Sequence, residues 1–150
     1  MDLWMETKIR YEKVQENGNT KKVTEPYLVS ALSFTEAEAR IIEEMTPFIS
    51  GEFKVTAIKI TNYSEVVSTT DESADKWYKA KVNFVTLDEK SGAEKKTSNY
   101  FLLEASDLDD AKKRLNEHMK GTMADWEAES VSETKIMDCL LYTSPSPRDS

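Results

Sequence analysis

Cysteine is almost missing from this sequence. The chain of 150 residues has one, Cys139, and one histidine, His118. A lone thiol excludes a disulfide framework and a zinc ribbon, both of which need cysteines in sets. A lone histidine excludes the helix-borne sites that gather glutamate and histidine ligands from several helices. Glycine is scarce too, with four in all, and none of Gly18, Gly51 and Gly92 stands in a phosphate-cradling motif. Apolar runs stop far short of the ~18 residues of a membrane span. Met1-Asp2-Leu3 opens no basic, apolar leader. The formal charge is −8, which disfavours a dedicated nucleic-acid binder, whose footprint is usually basic. These absences together give the expectation of a cytoplasmic protein with no cofactor, no bound metal and no membrane partner.

The scarce residue types gather at the end of the chain. "CLLYTSPSPRDS", Cys139 to Ser150, holds the only cysteine and two of the four prolines. Read as protein, it is an extended tail with two Ser-Pro sites. Read as codons, it resembles the translation of a transposase adapter used to prepare DNA libraries, residue for residue from Cys139 to Asp149. Such scars are set aside before fold reasoning. On this reading the sequence was assembled from environmental DNA, the natural chain is cut at Asp138, and residues 139–150 are a non-native tail that packs on nothing.

What remains is written twice. Trp4 falls on Trp77, Lys8 on Lys81, Ile9 on Val82 and Tyr11 on Phe84. Gly18 meets Gly92, Lys21-Lys22 meets Lys95-Lys96, Ala37 meets Ala111, and Met45 meets Met119. Further on, Val55 meets Val131 and Ile60 meets Ile136. Internal repeats take precedence over other patterns in a fold argument. They divide a single domain, 1–138, into pseudo-repeats 3–63 and 77–137, joined by a polar, acidic linker 64–76 without periodicity.

Each copy reads as strand, strand, helix, strand. From Trp4 to Val14, Met5, Thr7, Ile9 and Tyr11 alternate with Glu6, Lys8, Arg10 and Glu12, the period of a half-buried strand. Glu16-Asn17-Gly18-Asn19 is hairpin chemistry. The return strand runs from Thr20 to Ala31. Pro26 cannot donate to a ladder, so that strand should be an edge or carry a bulge. Ser33 and Glu36 fit a capping box, ahead of Phe34, Ala37, Ile41 and Met45 at helical spacing. The second copy has Asp107 and Asp110, then Leu108, Ala111, Leu115 and Met119. Phe53 to Tyr63 and Trp126 to Met137 are the closing strands. The fold class is α+β: tandem duplicated ββαβ units, an antiparallel sheet with two helices on one side. Whether there is one continuous sheet or two stays open.

"KKVTEPYLVSALSFTEAEARIIEEMTPFISGEF" (Lys21 to Phe53), "WYKAKVNFVTLDEKSGAEKKTS" (Trp77 to Ser98), "MKGTMADWE" (Met119 to Glu127) and "SETKIMD" (Ser132 to Asp138) resemble a family of small proteins catalogued as domain of unknown function 4494. The resemblance spans Trp4 to Asp138. It implies a place among proteins of gut bacteria, their phages and mobile elements, and supplies no functional residues.

Candidate sites are few. His118 matches Glu44 of the first copy and reads as a surface helix residue. Glu36, Glu38, Glu43 and Glu44 read as a solvated helix face. Asp71, Glu72 and Asp75 lack the glycine and ligand spacing of a calcium loop. No catalytic constellation appears, so an enzyme is not expected. One composition recurs in both copies: Trp4, Lys8 and Arg10 share a strand face, as do Trp77, Lys79 and Lys81. Aromatics interleaved with cations on a sheet can stack bases and track phosphates. They can equally be packed tryptophans beside lysines that snorkel into water. The leading reading is a non-enzymatic binding or accessory protein with a protein partner or ligand. The alternative is a nucleic-acid-binding module using the Trp/Lys strand faces.

Overall fold

The computed structural model describes residues 3–140. In chain order the elements are β1 (Leu3–Val14), β2 (Thr20–Ala31), α1 (Phe34–Met45), β3 (Phe53–Ile60), β4 (Tyr63–Val67), β5 (Lys76–Leu87), β6 (Glu94–Ala105), α2 (Leu108–His118), β7 (Asp125–Glu133) and β8 (Asp138–Leu140). The fold is α+β, with antiparallel pairing dominant. The strands form two sheets, ordered β3-β1-β2-β8 and β4-β6-β5-β7. The described chain divides into two compact units, residues 3–61 with 136–140, and Asn62–Lys135. The question the sequence left open is answered by two sheets, each under its own helix: α1 packs on β1, β2 and β3, and α2 on β5, β6 and β7.

In the first unit the alternating strand fixes the core. Met5, Thr7 and Ile9 are buried on the helix side, while Lys8 and Arg10 are exposed on the outer face. Ala37, Ile41 and Met45 of α1 close over Met5, Ile9, Tyr27 and Val29. Thr7 pays no polar penalty there, because its Oγ1 donates to the Tyr27 carbonyl at 3.0 Å. Ser33 caps α1 by accepting from the Glu36 N–H at 3.1 Å, and the Glu36 carboxylate accepts from the Leu32 N–H at 2.6 Å. A cap contributes about 1 kcal/mol, and each large apolar side chain buried from the stripe about 1.5–3 kcal/mol. The stripe therefore holds the helix down, and the cap sets where it begins. Pro26 behaves as its chemistry requires. β8 pairs with β2 only from Tyr27 onward, so β2 is an edge strand up to Pro26.

The second unit carries the same devices. Asp107 caps α2 by accepting from the Asp110 N–H at 2.8 Å, and Asp110 accepts from the Ser106 N–H at 3.0 Å. Both hairpins turn through glycine in the left-handed region, Gly18 at φ 87° and Gly92 at φ 73°. The bulge between Lys8 and Ile9 in the β1–β3 ladder has its counterpart between Lys81 and Val82 in β5–β7. Thr61 donates through Oγ1 to the Trp4 carbonyl at 2.8 Å, and Thr134 to the Trp77 carbonyl at 2.9 Å.

Two sequence expectations need correction. Segment 64–76, expected to be a linker without periodicity, contains most of β4, which pairs parallel to β6 and places Val67 against the second core. Five residues are too short to display a period. Residues from Cys139 were expected to pack on nothing. Cys139 and Leu140 instead pair with Leu28 and Val29, and Leu140 packs against the first core. The Met137 N–H donates to the Pro26 carbonyl at 2.8 Å, delivering the chain to the open edge of β2, where backbone pairing accepts almost any side chain. The rest of the expected tail, residues 141–150, lies outside the described residues.

Candidate functional site

The outer faces of the two sheets carry the residues singled out in the sequence. They meet opposite fates in the two units. In the second unit Trp77 is only 3 % exposed, so it is a packing residue and offers no face to a base. Lys79 lies over Tyr100, its Nζ 4.7 Å from the ring centroid, and 5.7 Å from that of Tyr63. Lys81 Nζ sits 3.0 Å from Glu129. Asn83 donates to the same Glu129 at 2.9 Å and accepts from the Ser98 hydroxyl at 2.8 Å. Lys96 Nζ reaches Glu127 at 3.0 Å. These contacts move the titrations: the hydrogen bond to Glu129 raises the Lys81 pKa, the one to Glu127 raises that of Lys96, and the Asn83 and Lys81 bonds lower that of Glu129. The face neutralises itself.

In the first unit Glu127 and Glu129 have no acidic counterparts, while Glu6 and Glu12 stand on β1 where the second unit has Lys79 and Val85. Register makes the comparison direct, since Tyr11 pairs with Phe53 as Phe84 pairs with Trp126. Arg10 stands where Asn83 stands, Lys54 where Glu127 stands, and Thr56 where Glu129 stands. Lys8 and Lys22 keep the places of Lys81 and Lys96. Arg10 is directly opposite Lys54 on β3 and Thr24 on β2. Lys8, Arg10, Lys22, Thr24, Lys54 and Thr56 are all exposed. Among the described residues no salt bridge joins Lys8, Arg10, Lys22 or Lys54 to an acid. Glu12 lies opposite Lys22, and Glu6 opposite Lys59. A shallow depression of about 440 Å³ is lined by Arg10, Glu12, Lys22, Glu52 and Lys54, with Tyr11 and Phe53. Trp4 is half-buried on the same face.

The profile of one family covers all of the described residues, matching residues 3–142. The chain belongs to the DUF4494 family, a domain of unknown function. That match continues past Asp138, in keeping with the pairing of Cys139 and Leu140 in β8. No curated protein and no solved structure matches the chain.

Two other polar groupings in this DUF4494 chain have structural explanations. Glu25 accepts from the Tyr11 hydroxyl at 2.9 Å and the Tyr27 hydroxyl at 3.3 Å, with Lys13 Nζ at 3.6 Å. Burial first, and then Glu25, pushes the Tyr11 phenol up to about 12 and raises that of Tyr27 further. His118 Nε2 is 3.1 Å from Glu65 Oε1, and its ring meets Phe101 edge-on at 5.7 Å. Among the described residues no hydroxyl or thiol hydrogen-bonds that imidazole, and no cluster of His, Cys, Asp and Glu is arranged to hold a metal ion. No described helix is long and apolar enough to cross a membrane.

The structure separates the residues singled out in the sequence. Lys8 and Arg10 are exposed and make no salt bridge, and Trp4 lies further along β1 beyond Glu6, whereas Trp77, Lys79 and Lys81 are packed or paired. Lys22, Thr24, Lys54 and Thr56 were missed. The signal for them was available in the repeats: Lys54 against Glu127 is a charge reversal at one matched position.

Proposed function

We propose that this DUF4494 protein is a non-enzymatic binding protein of the cytoplasm, an accessory protein of a phage or mobile element, that engages its partner through the outer face of the first sheet. The supporting observation is the contrast between equivalent faces. Like charges directly opposite each other on neighbouring strands destabilise a sheet by about 0.2–1 kcal/mol. The second unit avoids this cost with Glu127 and Glu129, and the first retains it. A face that keeps uncompensated cations, in a chain of net charge −8, is matched to an anionic partner. The two units would then descend from a tandem duplication, one copy specialised for stability and the other for contact.

A thermal-shift screen of anionic, neutral and cationic polymers and metabolites tests the reading. Anionic compounds should raise the melting temperature of the wild type, and should fail to do so for Arg10→Asn combined with Lys54→Glu. Stabilisation by neutral or cationic compounds alone would contradict it. So would reproducible turnover in a substrate panel that disappears with His118→Ala.

A further inference from the structure

We propose that the ligand of the first sheet's outer face is a single-stranded nucleic acid, held by its phosphates across Lys8, Arg10, Lys22 and Lys54. This assignment rests on the reading of that face as the contact surface.

Geometry carries the assignment. Lys8 and Arg10 project from one face of β1 two residues apart, about 7 Å along the strand, on the order of the step between phosphates of an extended single strand. Lys54 stands beside Arg10 across the β1–β3 ladder, and Thr24 stands beside it across β1–β2. An exposed guanidinium, ammonium groups and the hydroxyls of Thr24 and Thr56 form a donor-rich floor suited to phosphate oxygens. The open face of an antiparallel sheet is a surface on which single strands are laid out. Trp4, further along β1, and the planar guanidinium of Arg10 offer limited stacking, so binding should be tolerant of sequence.

The chemistry selects this occupant over an acidic polypeptide. Protein interfaces draw their energy from aromatic or aliphatic anchors seated in pockets. Here the patch is mainly charged, its aromatic lining is limited to the partly buried Tyr11 and Phe53, and Trp4 lies half-buried beyond Glu6. Binding a phosphate chain needs little beyond clustered cations and released counterions. The net charge of −8 and the nearby Glu12 and Glu52 keep the interaction local, weak and strongly dependent on salt.

Fluorescence anisotropy with a labelled oligothymidylate, titrated by the whole chain over a range of salt, tests the proposal. Four neutralised phosphates give a slope of log K against log salt of about −3. Replacing Lys8, Arg10 and Lys54 together by alanine should weaken binding by at least ~10-fold and leave a slope near −1, the share of one remaining cation. Lys81→Ala with Lys96→Ala, which removes cations already paired with glutamates, should leave affinity within about twofold, since those charges neutralise no phosphates. Circular dichroism checks that each variant is folded. Equal loss in both variants would overturn the assignment to the first face. If polyglutamate at equal charge competes as well as the oligonucleotide, the nucleic-acid assignment fails while the binding face stands. If neither polymer binds at low salt, both fail.

Discussion

Arg10 of β1 pairs in register with Lys54 of β3, two cations side by side on an open sheet face. At the equivalent ladder position of the second unit Asn83 meets Glu127. A sheet does not need Arg10 beside Lys54 to fold. The second unit shows what the same ladder looks like when the pair is compatible.

Salt should therefore stabilise the first unit. Screening weakens repulsion between exposed charges once the Debye length drops to about 8–10 Å. Amide hydrogen exchange along β1 and β3 should slow between low and physiological salt, with no comparable slowing along β5 and β7. Equal responses in the two sheets would count against uncompensated repulsion in the first.

The N-cap hydroxyl of α1 and the Asp110 carboxylate at the start of α2 should respond differently to acid. Ser33→Ala should cost about 1 kcal/mol at any pH, because a hydroxyl does not titrate there. In α2 the Asp110 carboxyl is held below its usual 3.8, first by the Ser106 N–H and then by Arg114. A depressed folded pKa stabilises the native state above the unfolded value, and that stability is lost as the pH falls through the folded one. Urea unfolding of wild type against Asp110→Asn should show the difference between them shrink below about pH 4.

At the other extreme, the phenols around Glu25 should set the alkaline limit. Tyr11 is pushed up to about 12 and Tyr27 is raised as well. Ionising these phenols is easier in the unfolded chain, so their contribution is intact below about pH 10 and declines as the pH rises toward 12. Tyr11→Phe with Tyr27→Phe copies the second unit, where Phe84 and Phe101 occupy these places. That variant should lose less stability between pH 10 and 12 than the wild type. Tyrosinate absorbance followed alongside ellipticity checks both points.

Truncation after Asp138 removes Cys139 and Leu140 from the edge of β2. Leu140 is partly buried against the first core, so the cost should be about 1–2 kcal/mol. Amides near Tyr27–Val29 should lose protection, and those of β6 should keep it. Unchanged protection at β2 would mean that β8 contributes nothing to the first unit.

The parts of the fold legible in the sequence are those written in side-chain periodicity. Met5, Thr7 and Ile9 announce β1, and Ser33 with Ala37 and Ile41 announces α1, because alternation and capping are local. β4 and β8 were not legible. Each is short, parallel to its neighbour and held by backbone bonds, which leave no period in the sequence. The candidate face was legible only in part, for a related reason. Lys8 repeats as Lys81, and Arg10 drew notice beside it as a cation on the same strand face. Lys54 matters because it departs from the repeat, and its meaning depends on a register that puts it beside Arg10.

The central claim is that the first sheet keeps its cations for a ligand. Grafting the second face onto the first, as Arg10→Asn, Lys54→Glu and Thr56→Glu together, tests it in one protein. Urea unfolding at low salt, with and without a single-stranded oligonucleotide, is the measurement. The grafted chain should be more stable than the wild type by about 0.5–1 kcal/mol without oligonucleotide and should gain nothing when it is added. A grafted chain of equal or lower stability that is still stabilised by the oligonucleotide as the wild type is would contradict the account.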